Sequence, residues 1–289
     1  MAAPSGPGVA AAPTASLKQF VPLAERVSNR LHEWKRIGAP PQVLNILKNG
    51  YKIPFSNQVK PFKFEPWIPQ NDEERTQLRL LRDKLLQQSV LVPATRADFV
   101  SRSRLEPKKE RGQPAGFRLV VDLRHINEHI EGATCKFETL AQLPMMLQKN
   151  DWMVSLDLKS GYYHIPVHPK YIKFLTTEMD GMLVSFRALP FGLSTAPRIF
   201  TKVMRVFVGA MRARGIRVLP YIDDFLLLAS SREPAFRHRT FVVEFINRLR
   251  LMRKNERGYW EPTQNLVHPR VGIYTSRAIF YVTPCNYES

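Results

Sequence analysis

The apolar run Val218-Leu-Pro-Tyr-Ile-Asp-Asp-Phe-Leu-Leu-Leu-Ala229 carries two adjacent aspartates, Asp223 and Asp224, at its centre. Val, Ile, Tyr and Phe favour pleated backbone and aspartate tolerates turn dihedrals, so the run reads as strand, turn, strand with the acids at a hairpin tip. Two like charges about 4 Å apart repel by roughly 4 kcal/mol at an effective dielectric near 20, so the pair stays ionised only beside a cation. A divalent metal is the natural counter-charge. Taken alone, Asp-Asp is also what an ordinary acidic hairpin turn looks like.

A third acid separates the two readings. Asp157 lies in Trp152-Met-Val-Ser-Leu-Asp-Leu-Lys-Ser-Gly-Tyr-Tyr163, where Met153 to Leu158 is β-compatible and Gly161 marks a change of direction. The interval to Asp223 has room for one helix and a return strand. Three carboxylates converging on strand ends build the hard, oxygen-rich site that magnesium prefers, with coordination positions left for phosphates. Two-metal nucleotidyl transfer uses this pattern.

Four blocks then carry a family resemblance. Tyr221-Ile-Asp-Asp224 resembles the YxDD box of reverse transcriptases, and Asp157-Leu-Lys-Ser-Gly-Tyr162 their first palm motif. Leu189-Pro-Phe-Gly-Leu-Ser-Thr-Ala-Pro197 is similar to their template-gripping motif. Pro107-Lys-Lys109 with Phe117-Arg-Leu-Val-Val-Asp-Leu-Arg-His-Ile-Asn127 resembles their fingers strands. The blocks follow the family's order across about residues 70 to 260. Leu31 to Gly38 and Val43 to Tyr51 are similar to what precedes the polymerase in DIRS-like elements.

The resemblance implies an α+β, right-handed fingers-palm fold, with an antiparallel palm sheet backed by helices and a thumb cut short. It implies an RNA-directed DNA polymerase that uses Mg2+, or Mn2+ in its place, and acts on an RNA or DNA template-primer with deoxynucleoside triphosphates. It also implies further polyprotein domains, such as ribonuclease H, integrase or recombinase, outside this chain. Asp157, Asp223 and Asp224 would be the catalytic, metal-holding residues. Lys108 or Lys109, with Arg118, would contact the triphosphate, by point charge and by fork respectively. Tyr162 would lie under the sugar and exclude a 2′-hydroxyl by bulk, and Phe191, Gly192, Pro197 and Tyr221 would complete the nucleotide pocket. Outside the motif, a lone basic residue is solvated surface, Tyr162 a core aromatic beside Tyr163, and Phe191 to Pro197 a turn and helix start.

Charge agrees with a polyanionic partner: 43 Lys and Arg against 25 Asp and Glu give +18, a balance shared by other nucleic-acid-binding proteins. Cys135 and Cys285 are the two cysteines, too few for a disulfide framework. No apolar run approaches the roughly 18 residues that span a bilayer, so a soluble, intracellular chain is expected. Composition divides it into an Ala- and Pro-rich tail, residues 1–16, expected to be disordered, and an accessory stretch, 17–68. Fingers and palm take 69–231, and the end of the palm, the primer-grip region and a partial thumb connection take 232–289. Asn71 and Glu74 predict a capping box for a helix to about Gln88. Ser194 or Thr195 predicts the start of a helix that Gly215 stops, and a further helix is expected from about Pro234 to Leu251.

Some positions depart from the family. Alignment on Trp260 puts Arg257 where relatives keep a lysine thought to protonate the leaving pyrophosphate, and arginine is a poor acid; Lys254 substitutes only if the loop shifts. Val267-His-Pro-Arg-Val-Gly-Ile273 is a disturbed primer grip, with Pro269 expected to interrupt a strand. No aspartate follows Asp224, so an Asp-rich ribonuclease H site is not expected here. His164 and His168 lack a third ligand and read as structural. These departures keep open a decayed retroelement protein that binds nucleic acid without synthesis. An RNA-dependent RNA polymerase is a third reading, disfavoured by Tyr162 and by Tyr-Ile-Asp-Asp in place of Gly-Asp-Asp.

Overall fold

Turn residues and apolar periodicity divide the chain into short strands and a few longer helices, which a computed structural model describes over residues 23–110, 113–132, 142–254, 260–268, 271–277 and 279–282. The tail 1–16, Cys135, Arg257, Pro269 and Cys285 lie outside them. Three short helices come first: α1 (Leu23–Ser28), α2 (Leu31–Arg36) and α3 (Pro41–Asn49). They are followed by β1 (Phe62–Lys63), α4 (Asp72–Gln87), β2 (Leu91–Pro93), β3 (Phe99–Ser101) and the hairpin β4 (Ser103–Glu110) and β5 (Gln113–Val121). Next come α5 (Arg124–Asn127), α6 (Leu143–Met146), β6 (Trp152–Asp157), α7 (Pro169–Ile172), β7 (Thr176–Met179) and β8 (Met182–Phe186). Helix α8 (Ala196–Arg212), strands β9 (Arg217–Tyr221) and β10 (Asp224–Ala229), helix α9 (Arg232–Arg248), and strands β11 (Asn265–His268), β12 (Val271–Tyr274) and β13 (Ile279–Val282) complete the order.

The expected antiparallel sheet is β6-β10-β9, with β10 in the middle. Every side chain of β10 from Phe225 to Ala229 is buried, which explains why the run is continuously apolar rather than alternating. Helices α8 and α9 cover it. Phe207 of α8 meets Phe225 edge-on, ring centroids 5.4 Å apart, and stacks on Phe245 of α9 at 5.2 Å. Each such ring contributes about 1.5–3 kcal/mol by leaving water. A five-stranded sheet, β1-β3-β7-β8-β2, is separate from it, and β4-β5 and β11-β12-β13 form two smaller sheets.

Local signals place most helix ends. Asn71 accepts the Glu74 N–H at 2.8 Å, while the Glu74 carboxylate accepts from Gln70 at 2.8 Å rather than from Asn71, a capping box displaced by one residue. Thr195 precedes α8, Pro197 is its second residue, and Gly215, at φ +74, follows its end. Helix α9 stops at Arg248, short of the expected Leu251, because Arg250 adopts a left-handed φ of +59 and turns the chain. Strands β11 and β12 pair from Asn265↔Tyr274 to His268↔Val271.

The N-terminal helices are built into the molecule. Trp34, Val43 and Leu47 are buried in the main core, and α1 packs on the turn Gly161–His164. Tyr51 exchanges backbone hydrogen bonds with Pro166 (2.7 Å) and His168 (3.0 Å). Gly50 permits that approach, since at its φ of +87 a Cβ would lie 2.4 Å from the His168 nitrogen. Among the described residues no helix is long and apolar enough to cross a membrane.

Candidate active site

Backbone register brings the acids together. On β10, Asp224 pairs with Asp157 of β6 on one side and with Tyr221 of β9 on the other, and directly opposed residues of an antiparallel sheet share a face. Ile222 and Asp223 form the turn. Ile222 has φ +57, a left-handed conformation that costs a β-branched residue roughly 1–2 kcal/mol. The turn is fastened to β6 by the Leu158 N–H, which donates to the Asp223 carbonyl at 2.9 Å. Gly161 leaves room behind it, because a Cβ there would stand 3.2 Å from the Asp223 Cβ and 3.0 Å from the Phe200 ring.

Crowding raises the proton affinity of these acids. Burial first, and then the charges of Asp157 and Asp223, push Asp224 up to about 7. Burial and Asp157 likewise hold Asp223 above the usual carboxylate range. The Lys254 ammonium hydrogen-bonds Asp157. Burial opposes its charge, but that bond and the three carboxylates outweigh the penalty and keep its pKa above the usual lysine range. The lysine arrives through backbone pairing: its N–H donates to the Asp157 carbonyl at 2.9 Å, and the Lys159 N–H donates to Met252 at 2.8 Å. The pairing of residues 252–254 beyond the end of β6 brings Lys254 to the acids, while Arg257, the position that alignment on Trp260 points to, lies outside the described residues. Trp260, the anchor of that alignment, stacks under Arg253 at 4.5 Å.

The donor set suits a hard divalent cation: carboxylate oxygens only, at strand ends, carrying more negative charge than one ammonium balances. The acids stand side by side rather than closed around a point; among the described residues no three acidic, histidine or cysteine side chains are poised around one ion.

The nucleotide-pocket candidates gather beside the acids. Tyr162, in the turn Gly161–His164, packs on Phe191 at 4.9 Å and Phe200 at 5.4 Å, and burial together with Asp223 pushes its hydroxyl up to about 12. Phe191 is 46% exposed. Gly192, at φ +95, lies so close to β5 that a Cβ would meet the Val121 carbonyl at 2.9 Å. Asn127, which the sequence did not single out, latches this turn by donating to the Gly192 carbonyl (2.8 Å) and accepting from the Ser194 N–H (2.9 Å). Only its place at the end of the fingers block hinted at it. Pro197 opens α8, and Tyr221 ends β9.

The basic candidates lie apart on the hairpin β4-β5. Arg118 pairs in register with Glu106 and is held by its carboxylate at 2.7 and 3.1 Å. The register shifts between Pro107 and Lys109, so Lys108 sits at a bulge and Lys109 pairs with Pro114. None of the hydrogen bonds or ion pairs among the described residues joins Arg118 to the aspartates.

A protein-family model described as reverse transcriptase (RNA-dependent DNA polymerase) matches residues 107–256, more than half of the chain. The chain belongs to the reverse transcriptase family. It is 24% identical over 244 residues to the Transposon Tf2-3 polyprotein of Schizosaccharomyces pombe, covering 84% of this chain and 17% of that protein. It is 23% identical over 248 residues to the Retrovirus-related Pol polyprotein from transposon opus of Drosophila melanogaster, covering 83% of this chain and 24% of the relative. It therefore spans about a quarter or less of these relatives. The crystal structure of Prototype Foamy Virus Protease-Reverse Transcriptase shares the fold, with TM-score 0.59 and 18% identity over 87% of this chain and 35% of that one. The α+β architecture is thus the reverse transcriptase polymerase fold.

The carboxylate cluster has a pH signature. Asp224 has a folded pKa of about 7, above its unfolded value near 3.9, so its contribution to stability is full below about pH 4 and is lost as pH rises through 7. His164, held near 4 by burial, acts in the opposite sense between about 4 and 6.5 but is common to both proteins compared. In metal-free buffer, the thermal midpoint of Asp224→Asn should rise relative to the parent by about 2–4 °C or more between pH 4 and pH 8. Parallel curves would contradict the charge crowding.

Proposed function

We propose that this chain is the fingers-palm part of a retroelement RNA-directed DNA polymerase, adding deoxynucleotides to a primer 3′-hydroxyl on an RNA or DNA template. The observation that carries the proposal is the register Asp157↔Asp224 with Asp223 in the adjoining turn, which crowds three carboxylates at the end of one sheet. Asp157 and Asp223 would hold Mg2+ or Mn2+, with Asp224 assisting electrostatically. Bound there, the ions supply a lowered pKa at the primer hydroxyl and charge neutralisation at the leaving pyrophosphate.

The remaining roles belong to the chain's own groups. Tyr162, wedged between Phe191 and Phe200, would present its ring to the sugar; Phe191, Gly192 and Pro197 would border the base and template, with Tyr221 beside them. Arg118 and Lys108 or Lys109 would meet the triphosphate, Arg118 exchanging Glu106 for phosphate oxygens. The proposed division keeps 69–231 as fingers and palm, 17–68 as an accessory brace, and 232–289 as the end of the palm and the primer-grip region. Ribonuclease H, integrase or recombinase units would belong to a larger polyprotein, and the narrower DIRS-like likeness rests on residues 31–51.

Asp157→Asn should still bind a primed template but lose Mg2+-dependent extension by about a hundredfold or more, the scale of removing a group that acts on the transition state. Undiminished extension by the variant would discard the assignment, and a parent that binds without extending would favour a nucleic-acid-binding protein that no longer synthesises. Tyr162→Ala should raise ribonucleotide incorporation relative to deoxynucleotide by about tenfold or more, the scale of relieving a local steric clash. Equal discrimination in parent and variant would place the gate elsewhere.

A further inference from the structure

We propose that His164 is a positioning residue: a buried imidazole that holds the Lys254-bearing segment against Asp157 and ties it to the turn carrying Tyr162. The inference rests on the polymerase reading for its purpose, but not for its geometry.

The side chain of His164 is fully buried, which is costly for a polar ring unless both nitrogens are bonded. Both are. Nδ1 lies 3.0 Å from the Gly161 carbonyl, which can only accept, so Nδ1 carries the hydrogen. Nε2 lies 2.9 Å from the Met252 backbone nitrogen, which can only donate, so Nε2 carries the lone pair. The two partners therefore fix one neutral tautomer.

Each bond reaches a segment that matters. Gly161 opens the turn that carries Tyr162 and leaves space behind Asp223. Met252 accepts from Lys159 through its carbonyl, and two residues later the Lys254 N–H donates to the Asp157 carbonyl. Residues 252–254 thus lie along 157–159, with His164 gripping the far side of the same segment. Arg26 of the N-terminal helix α1 adds a contact from Nη1 to the Met252 Sδ at 3.4 Å. Helix α9 has ended and Arg250 has turned the chain, so the segment has no helical hydrogen bonds to hold it. An apolar side chain could fill the His164 space, but it would leave the Met252 N–H without its acceptor and the position of Lys254 less defined.

The test reads the lysine rather than the reaction. Parent, His164→Leu and His164→Gln are treated with an acetylating amine reagent, and labelling rates are read per lysine by mass spectrometry, with cooperative thermal unfolding as the check on folding. In His164→Leu, Lys254 should label about fivefold faster or more, the scale of one lost hydrogen bond, while Lys173 changes less than about twofold. In His164→Gln, whose Oε1 keeps an acceptor for the Met252 N–H, the Lys254 rate should return towards the parent's. An unchanged Lys254 rate in a folded His164→Leu, or a Gln variant that labels as fast as the Leu variant, would overturn the proposal. If His164→Leu does not fold, hydrogen exchange of the parent decides: the Met252 amide should be protected like those of β6, and exchange at the rate of an open loop would overturn the bond itself. A chain that shows this labelling pattern yet never extends a primer would overturn the polymerase reading and leave His164's role standing.

Discussion

Like-charge repulsion at the end of the palm sheet is the constraint around which this molecule is organised. Asp157 and Asp224 face each other across β6 and β10, with Asp223 in the turn beside them, and burial sharpens their mutual repulsion. A fold tolerates such crowding only if the backbone beneath is over-determined and a cation is near. The continuously buried β10, held through Phe225 by Phe207, which Phe245 backs in turn, supplies the first condition. Lys254 supplies a partial form of the second.

The surroundings serve the same end. Gly161 is small where Asp223 and Phe200 need space, and Gly192 is small where the turn bearing Phe191 meets the Val121 carbonyl. Asn127, at the end of α5, fixes that turn to the segment following β5. The N-terminal stretch braces the sheet's surroundings, through Tyr51 on the 166–168 segment and Arg26 at Met252. The segment after β5, the β6-β10-β9 sheet and the N-terminal stretch thus meet at the turns that border the acids.

Much of this was legible in the sequence because local chemistry dictates it. The Asp-Asp hairpin follows from apolar flanks around turn-tolerant acids, and the strand ending at Asp157 from a β-compatible run before Gly161. The caps at Asn71 and Gly215 follow from residues with one good use. What stayed hidden depends on pairing between distant segments. Nothing in the spacing from Arg250 to Trp260 showed that Lys254 would lie along β6, because that depends on the left-handed turn at Arg250 and on an imidazole 88 residues upstream of Met252. His164 read as structural, and its burial agrees, but its two partners could not be named from sequence. Asn127 was hidden likewise, since its partners lie in a turn more than sixty residues away.

If the carboxylate cluster is a divalent-cation site, it should bind such a cation directly, whatever the fate of a primer. The most direct test is a titration with Mn2+, followed by the loss of its free-ion paramagnetic resonance signal, on the parent and on Asp157→Asn in the presence of a primed template and a deoxynucleoside triphosphate. The account predicts saturable Mn2+ binding by the parent, beyond that of the nucleic acid and nucleotide alone, and weakening by at least about tenfold in the variant, the scale of a lost metal partner. Equal binding by the two proteins would contradict it, and the three acids would then be a crowded hairpin end with Lys254 as a counter-charge.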